Sequence, residues 1–304
     1  MSLPAVGILS MGDMGSALAS MLSAGGTQVL TDLSGRSTLT RTRAAEAGAR
    51  DAGSLDALVD GCGLLISVLV PAEARSLAED VADAMARTGA RPVYVDANAI
   101  APQTMRYITT LIGDAGGSVV DAGIIGPPPR PGKRRTRIYC SGPDTGPFEA
   151  LGACGLDIRR VGPAIGQASG LKMVYAASTK GTTAVWTELL TAAHALGLTD
   201  ALLAEMAASS SVAEALVATV PEMPRRARRW VGEMEEIAAT FAALGLTPKM
   251  LEGAAELYRQ VGRTLLAEQT SREPDPSLEQ VLDTLAARAR AEDEQGVDSG
   301  QAPA

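Results

Sequence analysis

Gly7-Ile8-Leu9-Ser10-Met11-Gly12-Asp13-Met14-Gly15 is the stretch that decides the fold. The apolar residues 5–9 lead directly into it, and a helical pattern starts near Met14. A turn that cradles a dinucleotide pyrophosphate needs three small residues. One makes the tight turn, one lets the backbone approach the phosphates, and one lets helix and strand pack closely. Gly12 and Gly15 fill the last two places, and Ser10 stands where the first glycine normally sits. Serine there either tolerates the turn or bonds a phosphate through its hydroxyl. The expected contact set is therefore Ser10, Met11, Gly12, Asp13, Met14 and Gly15.

Working outward, short apolar runs recur at residues 28–32, 64–69, 92–96, 118–122, 137–141 and 156–161. Helical stretches beginning near Met14, Ser37, Ser54, Ala72 and Pro102 separate the first five strands. Strand and helix in alternation predict an α/β fold with a doubly wound, mostly parallel sheet whose strands are buried on both faces. Ligands of such sheets bind beyond the carboxyl ends of the strands. The end of the second strand inspects the adenosine ribose. Here Arg36, Ser37 and Thr38 would form an anion site for a 2′-phosphate, favouring NADP, whereas Asp32 facing the ribose would favour NAD.

After residue 163 the pattern becomes all-helical, with breaks at residues 197–200, 220–224 and 245–248. The expected domains are 1–163 for the nucleotide, 164–270 as an all-helical substrate and dimerisation domain, and 271–304 as a last helix with a disordered tail. Asp275 is the expected cap and Pro276 the first residue of that helix, which should run to about Ala291, with residues 293–304 frayed. No internal repeat is visible. With 304 residues, two domains follow from the prior of about 150 residues each.

Composition excludes several functions. A net charge of −8 repels phosphate backbones and anionic membranes, so nucleic acid and membrane are not expected partners. No apolar run reaches the roughly 20 residues of a bilayer span, and no charged start precedes an apolar core, so a soluble cytoplasmic protein is expected. Cys62, Cys140 and Cys154 lack disulfide or metal spacing and are expected as buried thiols, with no metal site. The one histidine, His194, provides neither a histidine triad nor a zinc cluster and is read as structural.

Five ordered blocks over roughly residues 4–260 resemble the β-hydroxyacid dehydrogenase superfamily, relatives of 6-phosphogluconate dehydrogenase. They are Gly12-Asp13-Met14-Gly15-Ser16-Ala17-Leu18-Ala19, Ser67-Val68-Leu69-Val70-Pro71, Val95-Asp96-Ala97-Asn98-Ala99-Ile100-Ala101-Pro102, Asp121-Ala122-Gly123-Ile124-Ile125-Gly126 and Gly166-Gln167-Ala168-Ser169-Gly170-Leu171-Lys172. The stretch Trp230-Val231-Gly232-Glu233-Met234-Glu235-Glu236-Ile237 resembles a branch with a phosphogluconate-dehydrogenase-like carboxyl-terminal domain of unknown function.

The resemblance implies a Rossmann domain followed by an all-α domain, and an oxidoreductase that exchanges a hydride between nicotinamide and a hydroxyacid or related alcohol or carbonyl. Lys172 becomes the general acid/base, with Asn98 beside the reacting atoms. Val70, Pro71 and Asn98 join the cofactor set, and Ile125, Gly126, Lys172 and Tyr175 the substrate set. A homodimer through the helical domain is also implied. A base near the reacting hydroxyl speeds such a step by about 10² to 10⁴, and burial beside a positive ring lowers a lysine pKa towards that task.

Several positions depart from the family pattern. Ile125-Gly126-Pro127 replaces Ser-Gly-Gly, Tyr175 replaces an asparagine one turn after the lysine, Asn98 replaces Ser or Thr, and Gly232 replaces a second lysine. Two alternatives therefore stand beside the dehydrogenase. One is an imine reductase-like enzyme, which Lys172 opposes, and the other a non-catalytic NADP(H)-binding sensor or scaffold. The basic segment from Arg130 to Arg137 is either an anion site or a solvated loop. The run Arg225, Arg226, Arg228 and Arg229 is expected as a helix face or subunit contact, and Trp186, Trp230 and Tyr258 as core or interface.

Overall fold

A computed structural model describes residues 3–132, 136–209, 213–269 and 273–298. The chain divides into two compact units, Met1–Tyr175 and Ala176–Ala304. The first unit thus continues past residue 163 through the helix that carries Lys172.

The first unit is built on one eight-stranded sheet in the order β3-β2-β1-β4-β5-β6-β7-β8. The strands are β1 (Val6–Ile8), β2 (Val29–Thr31), β3 (Ala49–Asp51), β4 (Leu64–Ser67), β5 (Val93–Asp96), β6 (Val119–Ile125), β7 (Arg137–Ser141) and β8 (Asp157–Gly162). Pairing is parallel throughout except between β6 and β7. β1, β4 and all of β6 are fully buried, as strands covered on both faces must be. β3 is one strand more than the sequence predicts. It is a short, largely exposed edge strand reading Ala-Arg-Asp, with no apolar run to reveal it.

Helices cover both faces. α1 (Asp13–Ala24), α2 (Thr38–Glu46) and α6 (Gly146–Glu149) pack with Ile8, Ile66, Val95 and Val120 on one side. α3 (Leu55–Gly61), α4 (Ala74–Thr88) and α5 (Pro102–Asp114) pack with Leu65, Tyr94 and Val119 on the other. α7 (Gln167–Ala176) follows β8. The sheet order reverses between β1 and its two neighbours, β2 and β4, so a crevice opens at the carboxyl end of β1. The three cysteines are free and buried, and burial pushes the Cys62 and Cys140 thiols up to about 11.

The second unit is helical: a π turn (Ala177–Gly181), then α8 (Thr182–Ala195), α9 (Thr199–Ser209), α10 (Ala213–Val217), α11 (Pro224–Ala243), α12 (Lys249–Val261) and α13 (Leu278–Asp298). The cap of α13 differs from expectation. Ser277 accepts from Gln280 N at 3.1 Å while Gln280 Oε1 accepts from Ser277 N at 2.8 Å, a reciprocal capping box. Asp275 is drawn away by Arg225, whose Nη2 lies 2.7 Å from Oδ1, so Pro276 precedes the helix instead of opening it. The helix also continues past Ala291 to Asp298; residues 299–304 of the expected tail lie outside the described residues.

The arginine run is consumed within this unit. Besides Arg225, Arg226 meets Glu222 at 2.9 Å, Arg228 Nε donates to Gly262 O at 2.7 Å, and Arg229 lies 3.7 Å from Glu233. His194 pairs with Asp283 at 2.7 Å, and Trp230 meets Tyr258 edge to face at 5.2 Å. Among the described residues no helix is long and apolar enough to cross a membrane.

Candidate active site

The turn after β1 is shaped by two glycines with opposite duties. A Cβ on Gly15 would stand 1.8 Å from the Ser10 carbonyl oxygen, so only glycine lets α1 start this close to the strand. A Cβ on Gly12 would meet nothing nearer than Ser10 Oγ at 3.9 Å, so its outer side is open for a ligand to touch backbone. No side chain caps α1, whose first amides point towards that opening. An uncapped helix start behind an open glycine is the arrangement that accepts a phosphate, so the residues present fit a dinucleotide.

The remaining turn residues divide. Met11 is 1% exposed and belongs to the core, which leaves only its backbone for a ligand. Met14 packs partly against the same core. Asp13, an acid at a phosphate-facing helix start, is held by Arg43 at 2.6 Å, which offsets its charge.

At the end of β2, Thr31 Oγ1 donates to Ile8 O at 2.7 Å and ties the second strand to the first. Asp32 turns its carboxylate into its own loop, where Oδ1 accepts from Ser34 N at 2.9 Å. Asp51 accepts from Gly53 N and Leu33 N, and these amides hold its carboxyl below the usual range. Ser37 caps α2 by accepting from Thr40 N, and Arg36 is exposed beside it. Arg41, not singled out from sequence, donates through Nη2 to Leu33 O at 2.6 Å and through Nε to Arg36 O at 3.3 Å. Two guanidinium groups therefore accompany this loop.

Asn98 is buried and bonded within the protein. Its Oδ1 accepts from Leu69 N at 2.6 Å and its Nδ2 donates to Ser67 Oγ at 2.8 Å, with the residue 2% exposed. Its amide N donates to Asp96 Oδ1 at 3.0 Å. Asn98 thus fastens the loop after β4, where Val70 is half exposed and Pro71 partly so. The Leu69 amide it accepts from is part-buried, and a fully buried amide left without an acceptor would cost about 1–3 kcal/mol.

Ser67, Asp96, Asp121 and Ser141 stand in register across β4, β5, β6 and β7 and are all buried, forming a polar row at the end of the core that Leu65, Tyr94 and Val119 fill. Burial pushes the Asp96 carboxyl up to about 7, against the Asn98 bonds and with a contribution from the Asp121 charge. Asp121 is raised by burial and drawn back by the donors around it. Its Oδ2 accepts from Ser141 Oγ at 2.9 Å, Gly166 N at 2.9 Å and Ala168 N at 3.0 Å, and Ser169 N reaches both oxygens at 3.2 Å.

Those amides open α7, so Asp121 caps the helix that carries Lys172. Two residues further along β6, a Cβ on Gly123 would lie 2.7 Å from Ala168 O and 3.0 Å from Lys172 Cβ. The missing side chain lets α7 rest directly on the strand. Lys172, partly buried, therefore starts about 6–7 Å beyond the polar row towards the strand's carboxyl end. Ile125 is 4% exposed at the end of β6, so its side chain is core and offers a ligand no surface. Gly126 has φ +122°, which favours glycine at this turn. Tyr175 is 42% exposed. Of the basic segment, Lys133, Arg134 and Arg135 lie outside the described residues.

Residues 5–146 match the model of the NAD binding domain of 6-phosphogluconate dehydrogenase, and residues 193–261 match a domain of unknown function, DUF1932. The structure of the conserved protein MTH1747 of unknown function, reported as similar to 3-hydroxyacid dehydrogenases, is 32% identical, with 87% of this chain and 99% of that one covered at a TM-score of 0.65. An uncharacterised 28.5 kDa protein of Methanothermus fervidus is 26% identical over 84% of this chain and 98% of its own length. The 3-hydroxyisobutyrate dehydrogenase of Mycobacterium tuberculosis, with L-serine, shares the fold at 18% identity, 94% and 99% coverage and a TM-score of 0.68.

Proposed function

Because the chain belongs to the 6-phosphogluconate dehydrogenase-like NAD-binding family whose carboxyl-terminal domain is DUF1932, we propose that it is an NAD(P)-dependent oxidoreductase acting on a hydroxyacid or related alcohol or carbonyl, with Lys172 as general acid/base. The backbone of residues 10–15 would hold the pyrophosphate, with Arg36, Ser37 and Arg41 at the adenosine ribose and Val70 and Pro71 beside the cofactor. A bound nicotinamide supplies or accepts the hydride. Lys172 moves the accompanying proton at Nζ, giving it to a carbonyl oxygen in reduction and taking it from a hydroxyl in oxidation.

The observation that carries this reading is the seat of Lys172. Gly123 brings the lysine's helix against β6 on the carboxyl side of a capped, buried row, which is where sheets of this order bind ligands. Lys172 is partly buried on a helix held at its start by Asp121 and along its side by β6. NADP is the favoured cofactor, supported by the two arginines of the β2 loop and by the inward turn of Asp32. Fluorescence titration with NADPH and NADH, followed by a panel of hydroxyacids and alcohols on wild type and Lys172→Ala, tests the reading. Turnover that falls by about 10² or more in the variant, with cofactor binding kept, is the expected result.

A non-catalytic NADP(H) sensor is the second reading, favoured by buried Ile125 and inward-turned Asn98. Cofactor binding without turnover on any substrate would favour it. As part of the main proposal the substrate is a small molecule and the protein a homodimer through its helical part. There a cavity of about 320 Å³ lies between α8 and α12, and Val185 and Met250 on its rim are 63% and 72% exposed. Light scattering gives the mass that tests this.

A further inference from the structure

We propose that Asp121 is the positioning residue of the site, a buried carboxylate that fixes the start of α7 and with it the place and charge state of Lys172; this rests on the reading of Lys172 as the acid/base. A helix start normally takes its cap from the residue just before it. Here the cap comes from a strand, 45 to 48 residues earlier in the chain. Asp121 is 0% exposed and receives three backbone amides and two hydroxyls, those of Ser141 and Ser169. Backbone amides cannot accept a proton bond, so this donor set favours the ionised form. Ser141 completes the clamp by accepting from Ala168 N at 3.0 Å while donating to Asp121.

Two fixed points then define the lysine. Asp121 holds the first turn of α7, and Gly123 lets the next turn, with Ala168 O and Lys172 Cβ, rest on β6. Lys172 is the sixth residue of α7, in its second turn, and a negative charge held at the start of that helix favours the ammonium over the neutral amine. Among the described residues, the groups near this cap include Asp96 on β5, whose carboxyl, at about 7, carries less charge near neutral pH, Arg106 on α5, whose Nη1 lies 3.4 Å from where a Gly166 Cβ would stand, and Cys140 on β7, whose thiol burial pushes up. Asp121 is thus a buried anion fixed at the start of the helix that carries Lys172, and its charge favours the ammonium.

The chain has four lysines, Lys133, Lys172, Lys180 and Lys249, so ¹³C-lysine labelling gives four Cε signals, assigned by single Lys→Arg variants. In the Asp121→Asn protein the Lys172 titration should move down by about half to one unit, with NADPH affinity retained, and the pH profile of kcat should move in the same direction. A Lys172 titration and kcat profile identical to wild type in a folded Asp121→Asn protein overturn the proposal. Should Asp121→Asn fail to fold, Ser141→Ala carries the test. Faster exchange of the Ala168 and Ser169 amides with a several-fold fall in kcat is expected, and wild-type values of both overturn it. The two failures are distinguishable. If no substrate is turned over by wild type, the acid/base reading falls while the Lys172 titration still decides the role of Asp121; if Lys172→Ala abolishes turnover but Asp121→Asn leaves the titration unmoved, only the positioning role falls.

Discussion

Replacing Asp96 by asparagine should stabilise the protein, and by an amount that depends on pH. The carboxyl is 1% exposed and is pushed from 3.8 to about 7, chiefly by burial. Because the folded value lies above the unfolded one, the folded protein binds the extra proton between about pH 4 and about pH 7. Stability from this group is therefore full below that window, declines as pH rises through it, and reaches its floor above about pH 7. The shift is about three units, which at 1.36 kcal/mol each makes about 4 kcal/mol over the whole window. Asparagine keeps an oxygen for the Asn98 amide and carries no charge to desolvate. Urea unfolding of wild type and Asp96→Asn from about pH 5 to about pH 8 should show the variant's advantage growing by about 2–3 kcal/mol, then levelling. A difference constant to within about 0.5 kcal/mol across that range would refute a buried Asp96 whose carboxyl is pushed up to about 7.

Other consequences are sharper on binding than on folding. Gly12→Ala, whose Cβ enters open space, should leave the melting temperature of the cofactor-free protein unchanged and weaken NADPH binding at least tenfold in a fluorescence titration. Gly15→Ala puts a Cβ onto the Ser10 carbonyl and should cost about 1–3 kcal/mol in denaturant unfolding as well as cofactor binding. Arg36→Ala should weaken NADPH binding several-fold and leave NADH binding unchanged, which isothermal titration resolves. In the helical unit Lys180 pairs with Glu233, at 12% and 9% side-chain exposure, and its pKa is lowered by burial. Lys180→Met should cost about 1–3 kcal/mol by removing the nearer cation from Glu233, which keeps Arg229 at 3.7 Å, and adding Glu233→Leu should recover part of it in the same unfolding assay.

What the sequence made legible was whatever a local pattern encodes. The strands at Val29-Leu30-Thr31 and Leu64-Leu65-Ile66-Ser67 are written in apolar and β-branched residues, and the turn at Gly12 and Gly15 in spacing. β3 was not, because an exposed edge strand needs no apolar face. The start of α13 misled because Asp275-Pro276 has the form of a cap and first turn, while the distant Arg225 had already taken the aspartate. The site divided the same way. Lys172 stood out as a charge in an apolar helix, whereas the cap that holds it lies on another strand. Asp96 and Asp121 fall within the matching blocks, yet only the register of β4 to β7 brings them into one row. Asn98 likewise reads as a donor to a ligand, and only the fold shows Ser67 Oγ accepting from its Nδ2.

The claim that Lys172 moves the proton is tested most directly by chemical rescue. Single-turnover hydride transfer by Lys172→Ala, on a substrate the wild type accepts, should be slowed by about 10² to 10⁴ and restored in part by small primary amines, with rates that follow amine basicity. Transfer at the wild-type rate without any added amine would contradict it.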